Sequence, residues 1–381
     1  MNNKEISDYL NFEIPLEKNE LIISISHFVE FMNKIKAKTS IKNLKNEISL
    51  IINLINQLDS KLFELKNNGF LLKERNDDSL IVTINDFLNE LNQIKDSQTL
   101  ERAVYYIDRM IKGFTEIKTN KYNDINLNRW KEYTHILTDS LWIFNKRDNS
   151  GVHSGDYWGN FVPQIPNQML QRYTKKGEWV LDGFLGLGTT LIECKRLGRN
   201  GIGIELNPSV SKKAEKIINL ESNPSNVQTI VLTGDSQKID IRKQLQDNNI
   251  ETVQLIILHP PYHDIIKFSE DDPNDLSNAP TTEEFTTMFC NVIRNLSQVL
   301  DKNRYLIVVI GDKYSKGEWI PLGFLTMNEV IKNNFTLVSI IVKNFKETKG
   351  KRQQHELWRY RALTGGFYVF KHEYVMVFKK N

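Results

Sequence analysis

Residues 179–190 read Trp-Val-Leu-Asp182-Gly-Phe184-Leu-Gly186-Leu-Gly188-Thr189-Thr190. A short apolar run gives way to alternating glycines and then to a helical pattern. The chain therefore leaves a strand, turns tightly and enters a helix. Glycines let such a turn bring its backbone close to a ligand, and the helix start adds free N–H groups at the positive end of its dipole. The stretch is not the G-x-G-x-x-G dinucleotide fingerprint, because Leu191 stands at the third glycine position.

Working outward, the run Gly-Ile-Gly-Ile-Glu205-Leu-Asn207-Pro208 ends a second strand on an acidic residue able to accept both hydroxyls of a ribose. Asp235 and Ser236 follow a third strand, where a carboxylate suits an adenine amino group. Strands are expected at 179–182, 201–205, 229–232, 254–258 and 305–310, with helical patterns between them at 189–197 and 283–300. That alternation implies a doubly wound, mostly parallel α/β sheet, which binds ligands at the carboxyl ends of its strands. Two later strands, near 337–343 and 373–378, close one edge in antiparallel fashion. A ribose and an adenine without a phosphate-rich loop point to S-adenosylmethionine. A nucleotide is the alternative, and no G-x-x-x-x-G-K-[ST] loop supports it. The candidate cofactor residues are Asp182, Phe184, Gly186, Gly188, Thr189, Thr190, Glu205, Asn207, Asp235 and Ser236. Phe161 and the prolines Pro163 and Pro166 that follow it read as the far wall of the same pocket.

After the fourth strand comes Leu258-His259-Pro260-Pro261-Tyr262. A double proline at a strand end fixes an extended, rigid turn and presents Tyr262 at the crevice mouth. The order Phe-x-Pro-x-x-Pro, Asp-x-Phe-x-Gly-x-Gly-Thr-Thr, Gly-x-Glu-x-Asn-Pro and x-Pro-Pro-Tyr resembles the DNA amino-methyltransferases, over residues 150–381. The resemblance implies a Rossmann-like methyltransferase sheet. It implies direct transfer of a methyl group from S-adenosylmethionine to adenine N6 or cytosine N4, on a base flipped out of duplex DNA. On this reading the glycine turn holds the methionine part of the cofactor and Glu205 the ribose. The catalytic set is His259, Pro260, Pro261 and Tyr262. The first side chain and the Pro260 carbonyl accept the two amino N–H bonds, and Tyr262 stacks on the base. The family has Asp, Asn or Ser where this chain has His259. A neutral imidazole can accept the same hydrogen bond and an imidazolium cannot, so activity is expected to fall as pH drops through the His259 pKa. The alternative is that His259 has lost the role, leaving a weakened nucleic-acid-binding homologue. An RNA amino-methyltransferase is a further alternative, although the sequence has no recognisable RNA-binding module. The polar stretch 263–273 reads as a flap over the target base.

Residues 1–145 read as a separate helical domain, and 146–381 as the methyltransferase domain. Ile41, Leu44, Ile48, Ile51, Ile55, Leu58, Leu62 and Leu65 form an unbroken a/d seam, and helical patterns follow at 84–94 and 100–114. The seam is either the core of a self-contained bundle, a homodimer contact, or a surface that packs along DNA.

The chain has 381 residues, 40% apolar and 25% charged, and a net charge of +3. These proportions suit a soluble globular protein and exclude wholesale disorder. The first residues have no signal-peptide core, and no run is long enough to span a membrane. Two cysteines, Cys194 and Cys290, are too few for a disulfide framework or a zinc cluster, so no metal is expected and the expected location is the cytoplasm. Residues 301–381 hold 15 Lys and Arg against 7 Asp and Glu, which suggests a polyanionic partner. The basic loop 343–367 carries Lys343, Lys346, Lys349, Lys351, Arg352, Arg359 and Arg361, interleaved with Trp358, Tyr360 and Phe367. Basic side chains contact phosphates and aromatics stack on bases, so this loop is the expected contact with double-stranded DNA. The resemblance implies a prokaryotic or phage restriction–modification or epigenetic system.

Overall fold

The computed structural model describes residues 20–65, 78–155, 159–269, 272–315, 317–344 and 355–381. The chain divides into two compact units, one of residues 1–120 and 125–134, the other of 121–124 and 135–381. Residues 135–145, assigned to the helical domain from sequence, belong to the second unit, where Trp142 is buried in its core.

The first unit is not purely helical. Strands β1 (Glu20–Ser24) and β2 (Ser79–Thr83) pair antiparallel. Around them lie helices α1 (Ile25–Lys36), α2 (Ile41–Leu65), α3 (Ile84–Lys95) and α4 (Leu100–Thr115). Ser24, Thr83 and Thr99 each accept a backbone N–H with their side chains, capping α1, α3 and α4. Leu44, Ile48, Ile51 and Ile55 of the a/d seam are fully buried in one core with residues of α1, α3 and α4. Each such side chain contributes roughly 1.5–3 kcal/mol of burial free energy. The seam is thus spent within the unit as far as Ile55; the side chains of Leu58, Leu62 and Leu65 lie outside the described residues.

The second unit is built on an eight-stranded sheet. Its strands are β3 (Leu141–Trp142), β4 (Trp179–Asp182), β5 (Asn200–Glu205), β6 (Thr229–Thr233), β7 (Val253–Leu258), β8 (Leu300–Ile310), β11 (Phe335–Asn344) and β12 (His372–Lys380). The spatial order is β3-β11-β12-β8-β7-β4-β5-β6. Strands β6, β5, β4, β7 and β8 run parallel, and β12 is antiparallel to both β8 and β11. The sheet is the mostly parallel, doubly wound α/β sheet with an antiparallel edge expected from sequence. A small hairpin, β9 (Lys313–Ser315) with β10 (Glu318–Ile320), stands beside it.

The parallel strands are near-continuous apolar runs because both faces are covered. Helices α5 (Gln164–Tyr173), α6 (Thr189–Leu197), α7 (Pro208–Leu220), α8 (Ile241–Asp247), α9 (Thr282–Leu296) and α10 (Leu322–Lys332) flank the sheet. Pro163 and Pro166, expected to form a pocket wall, instead open α5 as its cap and first turn, where a missing N–H costs nothing. The basic loop likewise contains a helix, α11 (His355–Gly365). Among the described residues no helix is long and apolar enough to cross a membrane.

Candidate active site

Chain order reverses between β4 and β7: β5 follows β4 on one side, and β7 lies against its other side. A crevice opens where neighbouring strands send their connections to opposite faces. The turns leaving β4 and β7 are adjacent there, and the Gly183 N–H donates to the Ile257 carbonyl at 3.2 Å. Both turns line one cleft of about 1720 Å³.

At the glycine turn, Gly186 and Gly188 adopt positive φ of 54° and 87°. A Cβ on Gly188 would lie 2.6 Å from the Ile218 side chain, so the turn before α6 has room only for glycine. The Glu205 carboxylate accepts the Gly186 N–H at 2.9 Å and the Asn207 N–H at 3.0 Å. Burial raises its pKa, opposed by those two donors. Asn207 caps α7 through the Ser209 N–H. Asp235 accepts the Gln237 N–H through Oδ1, while its buried Oδ2 accepts no hydrogen bond among the described residues; the Lys238 ammonium stands 3.7 Å from it. A buried carboxylate oxygen without a donor fits the amino group of an adenine. These residues, with Phe184 and Phe161, suit an adenosine-containing cofactor.

Asp182 takes a different part from the one expected. It is 1% exposed, and its two oxygens accept the Phe184 N–H at 2.9 Å and the Thr190 hydroxyl at 2.5 Å. Burial pushes its pKa up to about 6. Asp182 and Thr190, with the buried Thr189 and Gly188, build the turn and do not line the cleft. Ser236 lines the cleft, but its hydroxyl donates to the Gly183 carbonyl at 2.7 Å and so holds two turns together.

On the other side of the cleft, His259, Pro260, Pro261 and Tyr262 all contribute to the wall. The His259 ring packs on Phe161, centroids 4.8 Å apart, and its Nε2 is 3.3 Å from the Tyr262 hydroxyl. Burial pushes the His259 pKa down to about 4, so the window in which it gains charge lies well below neutrality. Tyr262 Oη donates to Glu373 Oε2 at 2.6 Å. Burial and the Glu373 carboxylate together raise the tyrosine's pKa well above its ordinary value. The Tyr262 ring lies against Gly311, where a Cβ would sit 2.9 Å from Cε2.

Lys343, expected to contact DNA from the surface, is 4% exposed and pairs with Glu373 at 3.0 Å. The β11–β12 register sets these two residues opposite each other at the sheet's ligand-binding edge. Lys346, Lys349, Lys351 and Arg352 lie outside the described residues. Trp358 lines the cleft, whereas Arg359 and Arg361 are exposed on α11, with the Arg361 guanidinium 5.3 Å from the Trp358 ring centre.

Several cleft residues were not singled out from sequence. Glu373 is the most consequential; it lies in an ordinary strand pattern and only the register reveals its position. Phe370 and Tyr368 also line the cleft. The stretch 263–269 and 272–278 is tied together, with Asp275 accepting from the Ser277 N–H and the Ser269 hydroxyl, and Phe268 turned into the cleft wall.

A glycine turn with an acid-ended second strand, facing a His-Pro-Pro-Tyr turn across the switch point, defines a protein of the DNA methylase class. A family model described as DNA methylase, N6_N4_Mtase, matches residues 24–216 and 253–381, and the chain belongs to that family. Among curated relatives, the type II methyltransferase M2.DpnII of Streptococcus pneumoniae is 34% identical over 30% of this chain and 53% of its own. M.MthZI of Methanothermobacter thermautotrophicus is 40% identical over 26% of this chain and 27% of its own. M.MjaII of Methanocaldococcus jannaschii is 41% identical over 15% of this chain and 11% of its own. The chain thus matches at most about half the length of these three relatives.

Proposed function

We propose that this protein methylates an exocyclic amino nitrogen, adenine N6 or cytosine N4, of a base flipped out of double-stranded DNA, with S-adenosylmethionine as donor. The observation that carries the reading is the shared cleft: the Gly186 turn and the His259-Pro-Pro-Tyr262 turn leave adjacent parallel strands and line one cavity. Relatives named as type II methyltransferases support the same reading.

Glu205 would hold the ribose hydroxyls, Asp235 the adenine amino group, and the Gly186 turn the methionine portion. When bound, the cofactor supplies an electrophilic methyl on a sulfonium. The residues across the cleft act on the acceptor. An exocyclic amino nitrogen is a poor nucleophile because its lone pair is delocalised into the ring. His259 and the Pro260 carbonyl would each accept one of its N–H bonds, drawing the nitrogen toward tetrahedral geometry and localising that lone pair. Tyr262 would stack on the base. Fixed acceptors stabilise developing positive charge on the nitrogen without reorganising during reaction, and the proton displaced by the new N–C bond would leave along one of the two N–H bonds they accept.

The test is incubation with methyl-labelled S-adenosylmethionine and duplex DNA, single-stranded DNA or RNA, followed by digestion to nucleosides. Label in N6-methyladenine or N4-methylcytosine from duplex DNA is the expected result. Label in RNA alone, or in no nucleic acid, overturns the proposal.

A further inference from the structure

We infer that Glu373 acts through Tyr262 to lock neutral His259 in one tautomer, with the proton on Nε2 and a bare, accepting Nδ1 presented to the cleft. Its bearing on catalysis rests on the proposed function; the proton inventory does not.

The argument follows one chain of hydrogen bonds. Lys343 and Glu373 are each 4% exposed and paired at 3.0 Å, so the carboxylate is held as an ion beside its cation. An ionised carboxylate only accepts hydrogen bonds. Glu373 Oε2 lies 2.6 Å from Tyr262 Oη, so the single phenolic proton points at Glu373. Tyr262 then has only lone pairs left for its other neighbour, His259 Nε2, at 3.3 Å. Two lone pairs facing each other repel, whereas an Nε2–H donating to Oη completes the chain. Neutral imidazole carries one ring proton, so placing it on Nε2 leaves Nδ1 as the acceptor. Nδ1 has no hydrogen-bond partner among the described residues, and His259 lines the cleft.

The histidine substitution gives this chain its meaning. At the head of the motif an ionised Asp accepts through either oxygen, a Ser hydroxyl keeps lone pairs to accept with, and an Asn accepts through its carbonyl oxygen without any change in proton position. An imidazole offers an acceptor at a given position in only one of its two neutral forms. In the other form an N–H would point at the amino group and oppose binding. Fixing the tautomer is therefore a requirement created by His259, and Glu373 meets it from the neighbouring antiparallel strand. Glu373 is a positioning residue, since it acts through Tyr262.

The tautomer is read directly by long-range ¹⁵N–¹H correlation on ¹⁵N-histidine-labelled full-length protein at pH 7, with the His259 signals assigned by their loss in His259→Asn. The expected result is an Nε2–H pattern for His259 in the unaltered protein. In Tyr262→Phe, where the acceptor oxygen is gone, and in Glu373→Gln, where Tyr262 is no longer held as an obligate donor, averaging between tautomers is expected. An Nδ1–H pattern in the unaltered protein overturns the inference, as does an unchanged pattern in Tyr262→Phe. Kinetics give a second reading: Glu373→Gln is expected to lower kcat about tenfold or more with cofactor affinity within twofold, as misplaced histidine protons do elsewhere. A kcat within twofold of the unaltered protein overturns the catalytic half. If no nucleic acid accepts a methyl group, the proposed function fails while the spectroscopic result stands on its own.

Discussion

The Gly186 N–H donates to the Glu205 carboxylate across 2.9 Å, latching the turn after β4 to the end of β5. The same carboxylate also accepts from Asn207, so both of its oxygens are oriented before any ligand arrives. Such preorganisation favours a charge-assisted grip on vicinal hydroxyls. Glu205→Gln keeps the size but loses the charge and turns one oxygen into a donor. Hydrogen bonds to charged groups contribute about 1.5–3 kcal/mol, so S-adenosylmethionine affinity by calorimetry is expected to fall roughly 10–100-fold. Affinity within threefold of the unaltered protein would exclude Glu205 as the ribose ligand.

Gly311→Ala tests the placement of Tyr262 independently of its hydroxyl. The added Cβ would meet the ring at 2.9 Å, closer than carbon atoms approach, so the ring must shift by several tenths of an ångström. Misplacements on the ångström scale cost on the order of 100-fold in rate. The expected outcome is a fall in kcat of about 10–100-fold with unchanged cofactor affinity, measured in the methyl-transfer assay and by calorimetry. A parallel loss of both would point instead to collapse of the cleft.

The pH dependence follows from burial of His259. Its folded pKa of about 4 lies below the unfolded value of 6.5, so the neutral acceptor persists to about pH 5. Methyl transfer is therefore expected to be insensitive to this group from pH 8 to about 5.5 and to decline below pH 5. This moves the loss expected from sequence to more acid conditions. Stability shifts in the same sense. Between the two pKa values the unfolded chain binds the proton and the folded one does not, so the contribution is whole above pH 6.5 and is lost as pH falls toward 4. Urea midpoints that rise on acidification from 6.5 to 5 in the unaltered protein, but not in His259→Asn, would contradict this sign.

Asp182 carries the opposite linkage. Its folded pKa is raised from 3.8 to about 6, so the folded protein holds a proton that the unfolded chain releases between those values. The ionised form is thus a cost to the fold, complete above about pH 6 and relieved toward pH 4. Asn at this position can still accept the Phe184 N–H and can donate to Thr190 Oγ1. The stability of Asp182→Asn relative to the unaltered protein is expected to improve by roughly 2–3 kcal/mol as pH rises from 4 to 7, followed by chemical denaturation. A difference independent of pH would show that the carboxylate is as well solvated folded as unfolded.

The parallel half of the fold was legible because its strands contain short apolar runs, with Asp182 and Glu205 ending β4 and β5 and glycines following β6 and β8, and because helical patterns lie between them. Thr189–Leu197 is both the expected and the observed helix. The misplacements share a physical origin. Asp182 stands at a strand end like Glu205, and nothing in the local sequence says that its oxygens turn inward to Phe184 and Thr190 while Glu205 lines the cleft. Pro163 and Pro166 are turn formers by composition, yet proline is equally at home in the first turn of a helix. Lys343 reads as one more charge in a basic run; only pairing of β11 with β12 sets it opposite Glu373. Local sequence reports which residues end strands. Register decides which of them meet.

Arg359 and Arg361 test where nucleic acid is gripped. Both are exposed on α11, and Arg361 lies over Trp358, whose side chain reaches the cleft. Phosphates following the helix toward the cleft would meet these guanidinium groups before the base reaches His259. Each phosphate contact removed lowers the slope of log affinity against log salt by about 0.9. Arg359→Gln with Arg361→Gln is therefore expected to weaken duplex binding and reduce that slope by about 2, with S-adenosylmethionine affinity unchanged, as measured by a salt titration of DNA binding. The aromatic face of Trp358 remains in the variant, so a weakened affinity with an unaltered slope would mean that the arginines act by steadying Trp358 instead of by meeting phosphates.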